Sequence, residues 1–308
     1  MNNPLVTVII PNYNHAQYLD DRINSILNQS YKHVEVIILD DNSTDDSLDV
    51  INKYHSIEQV SHIIINENNS GSPFHQWKKG FSLSKGELIW IAESDDSCKS
   101  HMLSSLVSEF ENDSKCVLAF CKSDKIDSEG NIIGETRLPN KMSMNGASFI
   151  QKYLCRYNYI ENASSAIFRK DVLRNVDKSY TQYRGCGDWI FWIEIAKSGT
   201  VSYIDVPLNY YRVHEANTTT QQNISGKGEM EVAKVIDYLK NKHYIGLKEL
   251  YRAKIVHLYS IRYGYLSAIL SKEAKIEICK KWKEGIVVKI VVLLFYILQL
   301  CGIRIIKR

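Results

Sequence analysis

The feature that most constrains this chain is a pattern repeated along its first third: a short apolar run, a polar cluster, then a segment of helical spacing. Leu5–Ile10 is an apolar run of strand length. His15–Gln29 follows, with Leu19, Ile23, Ile26 and Leu27 at helical spacing and Asn14 with Gln17 as a cap pair. Val34–Leu39 is again strand-like and ends in Asp40-Asp41, after which Ser43 can cap a helix carrying Leu48, Ile51 and Tyr54. Val60–Ile65 reads as a third strand and Phe74–Leu83 as a helix. Leu88–Ala92 reads as a fourth strand, ending in Glu93-Ser94-Asp95-Asp96. Strands alternating with helices in units of about 30 residues predict an α/β fold with a doubly wound, mostly parallel sheet flanked by helices.

That fold gives the polar clusters a shared address. Asn12, Tyr13, Asp40, Asp41, Asn66, Asn68, Asn69, Asp95 and Asp96 all fall just after strand ends. In an open parallel sheet those ends border one crevice, where ligands bind. Any one of these residues is unremarkable in a surface loop, but two acidic pairs placed this way predict a site.

The rest of the chain is mixed and then helical. Cys116–Cys121, Ala163–Phe168, Val201–Ile204 and Leu208–Val213 are strand-like, with helices expected from Arg169 and over Asp188–Ala196. Residues 216 to about 227 are rich in Asn, Thr, Gln, Ser and Gly and read as a loop or hinge. These features divide the chain into a domain over 1–215, a helical C-terminal region over 216–285 and an apolar, basic-flanked tail over 286–308. Between Lys289 and Arg304 lie fourteen residues, fewer than the roughly 20 that span a bilayer. A helix lying in the membrane interface, with Lys280, Lys281, Lys283, Lys307 and Arg308 at its flanks, is the expectation.

Composition removes several classes. A net charge of +3, with no arginine-rich stripe, argues against nucleic acid as a partner. The seven cysteines are scattered and never form a Cys-x-x-Cys pair, which predicts reduced thiols and neither a disulfide framework nor a zinc site. The N-terminus runs into a strand without a signal core, so a cytoplasmic protein, peripheral at the inner face of the cell membrane, is expected. No glycine-rich phosphate loop follows the first strand, where Pro11-Asn12-Tyr13-Asn14 stands instead. This disfavours a nicotinamide-dependent dehydrogenase and a sugar nucleotidyltransferase.

The two acidic clusters suit a particular chemistry. A hard divalent cation such as Mg²⁺ or Mn²⁺ takes oxygen ligands and keeps positions open for phosphate. One or two carboxylates and a diphosphate meet that need, and the cation then offsets charge growing on a leaving group. The pair after the fourth strand is the natural metal site. The pair after the second can accept hydrogen bonds from a base.

Four segments resemble, in order and spacing, the family 2 glycosyltransferases of the GT-A fold: VTVIIPNYNHAQYL (6–19), VEVIILDDNSTDDS (34–47), NENNSGSPFHQWKKGFSLSKGELIWIAESDD (66–96) and GCGDWIFWIEIAKSG (185–199). The resemblance implies an inverting glycosyltransferase that uses a nucleotide-sugar donor, commonly a UDP-sugar. It also implies a saccharide or lipid-linked acceptor of the kind found in bacterial surface-polysaccharide synthesis. By the same resemblance Pro11 and Tyr13 match base-stacking positions and Asp41 the acid that hydrogen-bonds the base. Asn69 and Gly71 match the donor-approaching Asn-x-Gly segment, whereas Trp77-Lys78-Lys79, with one extra residue before Gly80, replaces the family's usual Arg-Asn pair, and Lys79 is the residue there that can reach the diphosphate. Asp95 would contact ribose and metal, Asp96 would ligate the metal, and His214 matches a histidine that completes the site in some relatives. Glu93 replaces an aspartate common in relatives and is given no role. Asp188 matches the catalytic base, the carboxylate an inverting transfer needs on the acceptor side. A catalytically silent nucleotide-sugar-binding or membrane-surface protein is the alternative from another class.

Overall fold

The computed structural model describes residues 3–136, 138, 140–214, 222, 225–282 and 285–300. Lys283, Lys307, Arg308 and most of the expected hinge over 216–227 therefore lie outside the described residues. The chain forms two compact units, Met1–Gly146 with Tyr159–His214, and Ala147–Asn158 with Glu215–Arg308.

In the first unit the expected alternation appears as β1 (Val6–Asn12), α1 (Ala16–Leu27), β2 (Val34–Asp40), α2 (Ser47–Asn52), β3 (Val60–Ile65), α3 (Pro73–Leu83) and β4 (Leu88–Ile91). Then come β5 (Ser97–Cys98), α4 (Met102–Asn112), β6 (Cys116–Ile126), β7 (Ile132–Glu135) and β8 (Met142–Asn145), after which a short α5 (Gly146–Phe149) leads into the second unit's first segment. The unit closes with β9 (Ala166–Arg169), α6 (Gly187–Ala196) and β10 (Thr200–Arg212). One sheet runs in the order β3-β2-β1-β4-β9-β6-β10-β5, with β7 on β6 and β8 on β10. The strands β3, β2, β1 and β4 are mutually parallel, as are β6 and β10. Between these groups β9 runs antiparallel to both β4 and β6. The sheet is thus mixed, and it is the fold class the sequence predicts.

Both faces of the sheet are covered, so every residue of β1 is buried. On one side Leu19, Ile23 and Ile26 of α1 and Met102, Leu103, Leu106 and Phe110 of α4 pack onto Val8, Ile10, Val36 and Trp90. On the other, α3 approaches so closely at Gly80 that a Cβ there would stand 2.5 Å from Ile9 Cγ2.

Several local expectations change. Val201–Ile204 and Leu208–Val213 belong to one strand, β10, whose register shifts on either side of Pro207; proline cannot donate to the ladder and marks the irregularity. The helix expected from Arg169 is a 3-10 turn, Lys170–Asn175. Ser43 caps no helix, because its hydroxyl bonds Asp40 Oδ2 at 2.6 Å. Nor do Asn14 and Gln17 cap α1; Asp45 Oδ2 accepts from Ala16 N at 2.9 Å instead.

The second unit contains α7 (Lys227–Asn241), α8 (Leu247–Tyr263), α9 (Tyr265–Ile269), α10 (Lys272–Lys281) and α11 (Ile286–Leu300). Its polar centre is His257 of α8, buried and stacked on Trp282 with ring centroids 5.1 Å apart. His257 Nε2 lies 2.7 Å from the Arg156 carbonyl and Nδ1 lies 3.2 Å from Glu229 Oε2. Burial opposes the imidazolium, but the charge of Glu229 and the Arg156 carbonyl outweigh it and raise the pKa above its ordinary value. The apolar tail helix α11 buries Val288 and Val292 and stacks Tyr296 on Tyr263, leaving Ile286, Val287, Ile290, Leu293, Leu294 and Ile297 exposed. Among the described residues no helix is long and apolar enough to cross a membrane. Cys98, Cys116, Cys121, Cys155, Cys186 and Cys279 are free thiols.

Candidate functional site

The carboxyl ends of the parallel strands meet at one edge. Asn12 of β1 pairs in register with Asp40 of β2, and the Asn12 amide donates to Asp40 Oδ2 at 2.8 Å. Asp40 is fully buried and also accepts from Ser43 N at 2.9 Å. It therefore shapes the turn that presents its neighbour Asp41. Asp41 Oδ1 accepts from Asn66 Nδ2 (2.7 Å), Ser70 N (2.9 Å) and Gln76 Nε2 (2.5 Å), while Oδ2 accepts from Ser70 Oγ (2.8 Å). Asn69 donates to the Asp41 carbonyl at 3.1 Å and accepts from Gly71 N at 2.7 Å. Gly71 has φ +77, in the left-handed region that glycine takes without cost. Lys79 Nζ donates to Asn66 Oδ1 at 2.6 Å, one bond removed from Asp41. Beside this knitted loop Pro11 is buried within β1, and Tyr13 is 46% exposed.

The turn after β4 carries the second acidic cluster. Asp95 Oδ2 lies 3.2 Å from His214 Nε2, which follows the end of β10. His15, at the start of α1, completes a group with Asp95 and His214 in which one ligand atom from each lies within 4.8 Å of the others. His15 Nδ1 contacts Ser94 Oγ at 2.8 Å, and the His15 and His214 rings meet edge to face at 5.7 Å. Burial, then the charge of His214, lowers the His15 pKa, with Asp95 opposing. Burial alone would raise Asp95, but the His214 hydrogen bond and the neighbouring His15 bring its pKa below the ordinary carboxylate value. Two imidazoles and a carboxylate within reach of one another are donors that a divalent transition ion takes, so this donor set fits such an ion.

Asp96, expected beside Asp95 as a metal ligand, is not one of these three residues and is engaged in other hydrogen bonds. It is 1% exposed; Oδ1 accepts from Arg212 N at 2.9 Å and Oδ2 from Asn162 Nδ2 (2.8 Å) and Ser164 Oγ (2.5 Å). Burial and the charge of Asp95 raise its pKa. Its role is to tie the turn to β10 and to the segment before β9. Arg212 adds to the tie by donating from Nε to the Asp95 carbonyl at 2.8 Å, two residues before His214.

Glu93, to which the sequence assigns nothing, accepts from Trp77 Nε1 at 3.0 Å. Its pKa is pushed up to about 8 by burial and then by the charges of Asp95 and Asp96. A buried cation balances these acids: Arg22 of α1 is fully buried, with its guanidinium 4.9 Å above the Trp90 ring and no hydrogen-bond partner for its nitrogens among the described residues.

Asp188 stands in the first turn of α6, where the helix dipole favours a carboxylate. Every other residue of that helix is buried, including Trp189, Phe191 and Trp192. Trp189 is therefore core and is not placed to stack on a sugar. The start of α6 abuts the start of α3: a Cβ on Gly187 would stand 2.5 Å from Phe74 Cε2. Phe74 lies four residues after Ser70, whose amide and hydroxyl bind Asp41. The structure thus brings Asp41, Asn69, Gly71 and Lys79 together after β2 and β3, and Asp95 and His214 together after β4 and β10, and it adds His15, which its spacing of 79 residues from Ser94 concealed.

Known proteins resemble this chain in sequence and fold. Glycosyl transferase family 2 matches residues 7–177, more than half of the chain. An uncharacterized glycosyltransferase of Haemophilus influenzae is 27% identical over 271 residues, covering 84% of this chain and 82% of that protein. The Campylobacter jejuni GalNAc(5)-diNAcBac-PP-undecaprenol beta-1,3-glucosyltransferase is 25% identical over 283 residues, covering 87% of this chain and 89% of that protein. The crystal structure of S. aureus TarS 1-349 in complex with UDP-GlcNAc superposes with a TM-score of 0.63 at 17% identity, covering 94% of this chain and 91% of that one.

Proposed function

Since the chain belongs to glycosyl transferase family 2 and is a glycosyltransferase, we propose that it moves a sugar from a UDP-sugar to a hydroxyl of a saccharide or lipid-linked acceptor, with inversion at the anomeric carbon. One observation carries this best: Asp188 is the single unburied residue of α6, and that helix begins against Phe74 at the start of α3, four residues after the Ser70 that binds Asp41.

In this mechanism Tyr13 and Pro11 line the base and Asp41 accepts a hydrogen bond from it. The Asn69–Gly71 turn lets backbone approach the donor, and Lys79 lies toward the diphosphate. Asp188 takes the proton of the acceptor hydroxyl as that oxygen bonds to the anomeric carbon. The bond from that carbon to the diphosphate oxygen breaks in the same displacement, and UDP leaves with the electron pair. General-base assistance of this kind contributes about 10²–10⁴-fold. Asp95 and His214 would hold a divalent cation, Mn²⁺ or Mg²⁺, which when bound offsets the negative charge on the departing diphosphate.

The similarity to the Campylobacter enzyme, whose name specifies an undecaprenol-linked acceptor, supports a lipid-linked acceptor here. The exposed stripe of α11 supports attachment at a membrane surface. Ile286, Ile290, Leu293, Leu294 and Ile297 share one helical face, and the exposed Lys289 stands at its edge. Such a protein works at the inner face of the cell membrane, where nucleotide sugars are available.

The test is to incubate the full chain with UDP-sugars, Mn²⁺ and a lipid-linked saccharide and to assign the product's anomeric configuration by NMR. Inverted product is expected. Retained configuration would remove the single-displacement mechanism, and donor binding without any transfer or hydrolysis would favour a silent binder.

A further inference from the structure

We propose that His15 is a third protein ligand of the cation site and that the resulting set of two imidazoles and one carboxylate selects first-row transition ions over Mg²⁺. This rests on the metal-dependent mechanism above and goes beyond it, because two ligands, Asp95 and His214, would suffice for that mechanism.

Three observations point to His15. Its ring nitrogen joins Asp95 and His214 within 4.8 Å, the spacing of atoms that share one ion. Its ring is held in place, since Nδ1 is engaged by Ser94 Oγ at 2.8 Å; in the proposed site Nε2 is the ring atom offered to the cation. A hydrogen bond on the other ring nitrogen is what orients a ligating histidine and fixes its tautomer. Its backbone is also fixed, since the His15 carbonyl accepts from Tyr18 N (2.9 Å) and Leu19 N (3.0 Å) and Asn14 N donates to Ser43 Oγ at 2.9 Å. Ser94 thus serves two neighbours at once, the imidazole in front of it and, through the chain, Asp95 beside it.

Selectivity follows from the donor atoms. Mg²⁺ takes oxygen ligands in strict octahedral geometry and gives up its waters reluctantly. Each imidazole adds affinity for transition ions in the order Mn²⁺ < Co²⁺ < Ni²⁺. Three protein ligands still leave positions for diphosphate oxygens and water.

The experiment measures Mn²⁺, Co²⁺ and Mg²⁺ binding to the full chain by calorimetry, with and without UDP. Electron spin-echo spectroscopy of bound Mn²⁺ then counts the coordinated imidazole nitrogens. Mn²⁺ and Co²⁺ are expected to bind without nucleotide at concentrations where Mg²⁺ does not, with two imidazoles coupled to Mn²⁺. His15→Ala should lower Mn²⁺ affinity by roughly tenfold or more, and Ser94→Ala, which spares the ligand but frees its ring, by roughly tenfold. A single coupled imidazole in the wild-type protein, or equal affinity for Mg²⁺ and Mn²⁺, overturns the proposal even if His15→Ala fails to fold. Unchanged Mn²⁺ affinity in His15→Ala, with loss in Asp95→Asn and His214→Ala, overturns it while leaving the two-ligand mechanism standing. If the wild-type chain binds none of these ions with UDP present, the metal-dependent mechanism itself falls.

Discussion

Asp95 Oδ2 and His214 Nε2 lie 3.2 Å apart although 119 residues separate them in the chain. The contact joins the turn after β4 to the end of β10, and Arg212 and Asp96 hold the two together from behind. The adjacent acids therefore have separable jobs, and substitutions should separate them.

Asp95→Asn should abolish Mn²⁺-dependent tightening of UDP binding while changing the melting temperature little. Asp96→Ala should act on stability, because Asn162, Ser164 and the Arg212 amide would lose a buried acceptor. Each buried donor left unsatisfied costs about 1–3 kcal/mol. Denaturant titration of both variants, paired with calorimetry of UDP binding, distinguishes these outcomes. A stable Asp96→Ala protein that has lost metal binding would return Asp96 to the ligand set.

Asp188→Asn should lower kcat by about 10²–10⁴-fold and leave the Kd for the UDP-sugar unchanged. The substitution keeps the shape of the first turn of α6, whose remaining residues are all buried. Steady-state transfer rates and equilibrium donor binding, measured on one preparation, decide this; near-normal turnover would assign the proton to another group.

The second unit should show a pH-dependent stability set by His257. Its folded pKa is raised by Glu229 and the Arg156 carbonyl. The stabilisation is therefore complete below the ordinary histidine value of about 6.5 and is lost as pH rises through the folded pKa. Thermal melts of the full chain between pH 6 and 9 should slope downward over that window, and Glu229→Gln should flatten the slope. A wild-type melting curve independent of pH there would show that the pair carries no such stabilisation.

Replacing Ile290 or Leu294 with Glu should weaken sedimentation with anionic vesicles. Both side chains are exposed on α11, and burying an aliphatic side chain is worth about 1.5–3 kcal/mol, so each change should cost roughly tenfold in partitioning. Raised salt should weaken the wild-type interaction too, through Lys289 and its neighbours. Equal sedimentation of the variants and the wild-type chain would leave the stripe to some other contact.

The parallel half of the sheet was legible because β1, β2 and β4 are largely apolar runs, as strands covered on both faces must be. The reversed direction of β9 was not, since a four-residue strand carries no mark of its orientation. Within the candidate site, the motifs pointed to Asp41, Asp95, Asp96, Asp188 and His214. They did not show that Asp96 is buried and bonded to Arg212, Asn162 and Ser164, which depends on β10 and the segment before β9 meeting the turn after β4. Arg22 lies in a helix among Asp20, Asp21 and Asn24 and reads as a solvent-facing residue, yet it is fully buried over Trp90. His15 belongs to no local spacing and becomes visible only when the start of α1 meets the turn after β4.

The four hydrogen bonds that Asp41 accepts from Asn66, Ser70 and Gln76 have a kinetic consequence. The segment flanking the proposed nucleobase position is organised during folding, so little ordering entropy would remain to be lost on nucleotide binding. Capture should proceed without a slow closing step at this wall, and the exchange of Asp41's protein donors for the incoming base would set how tightly one nucleotide is distinguished from another.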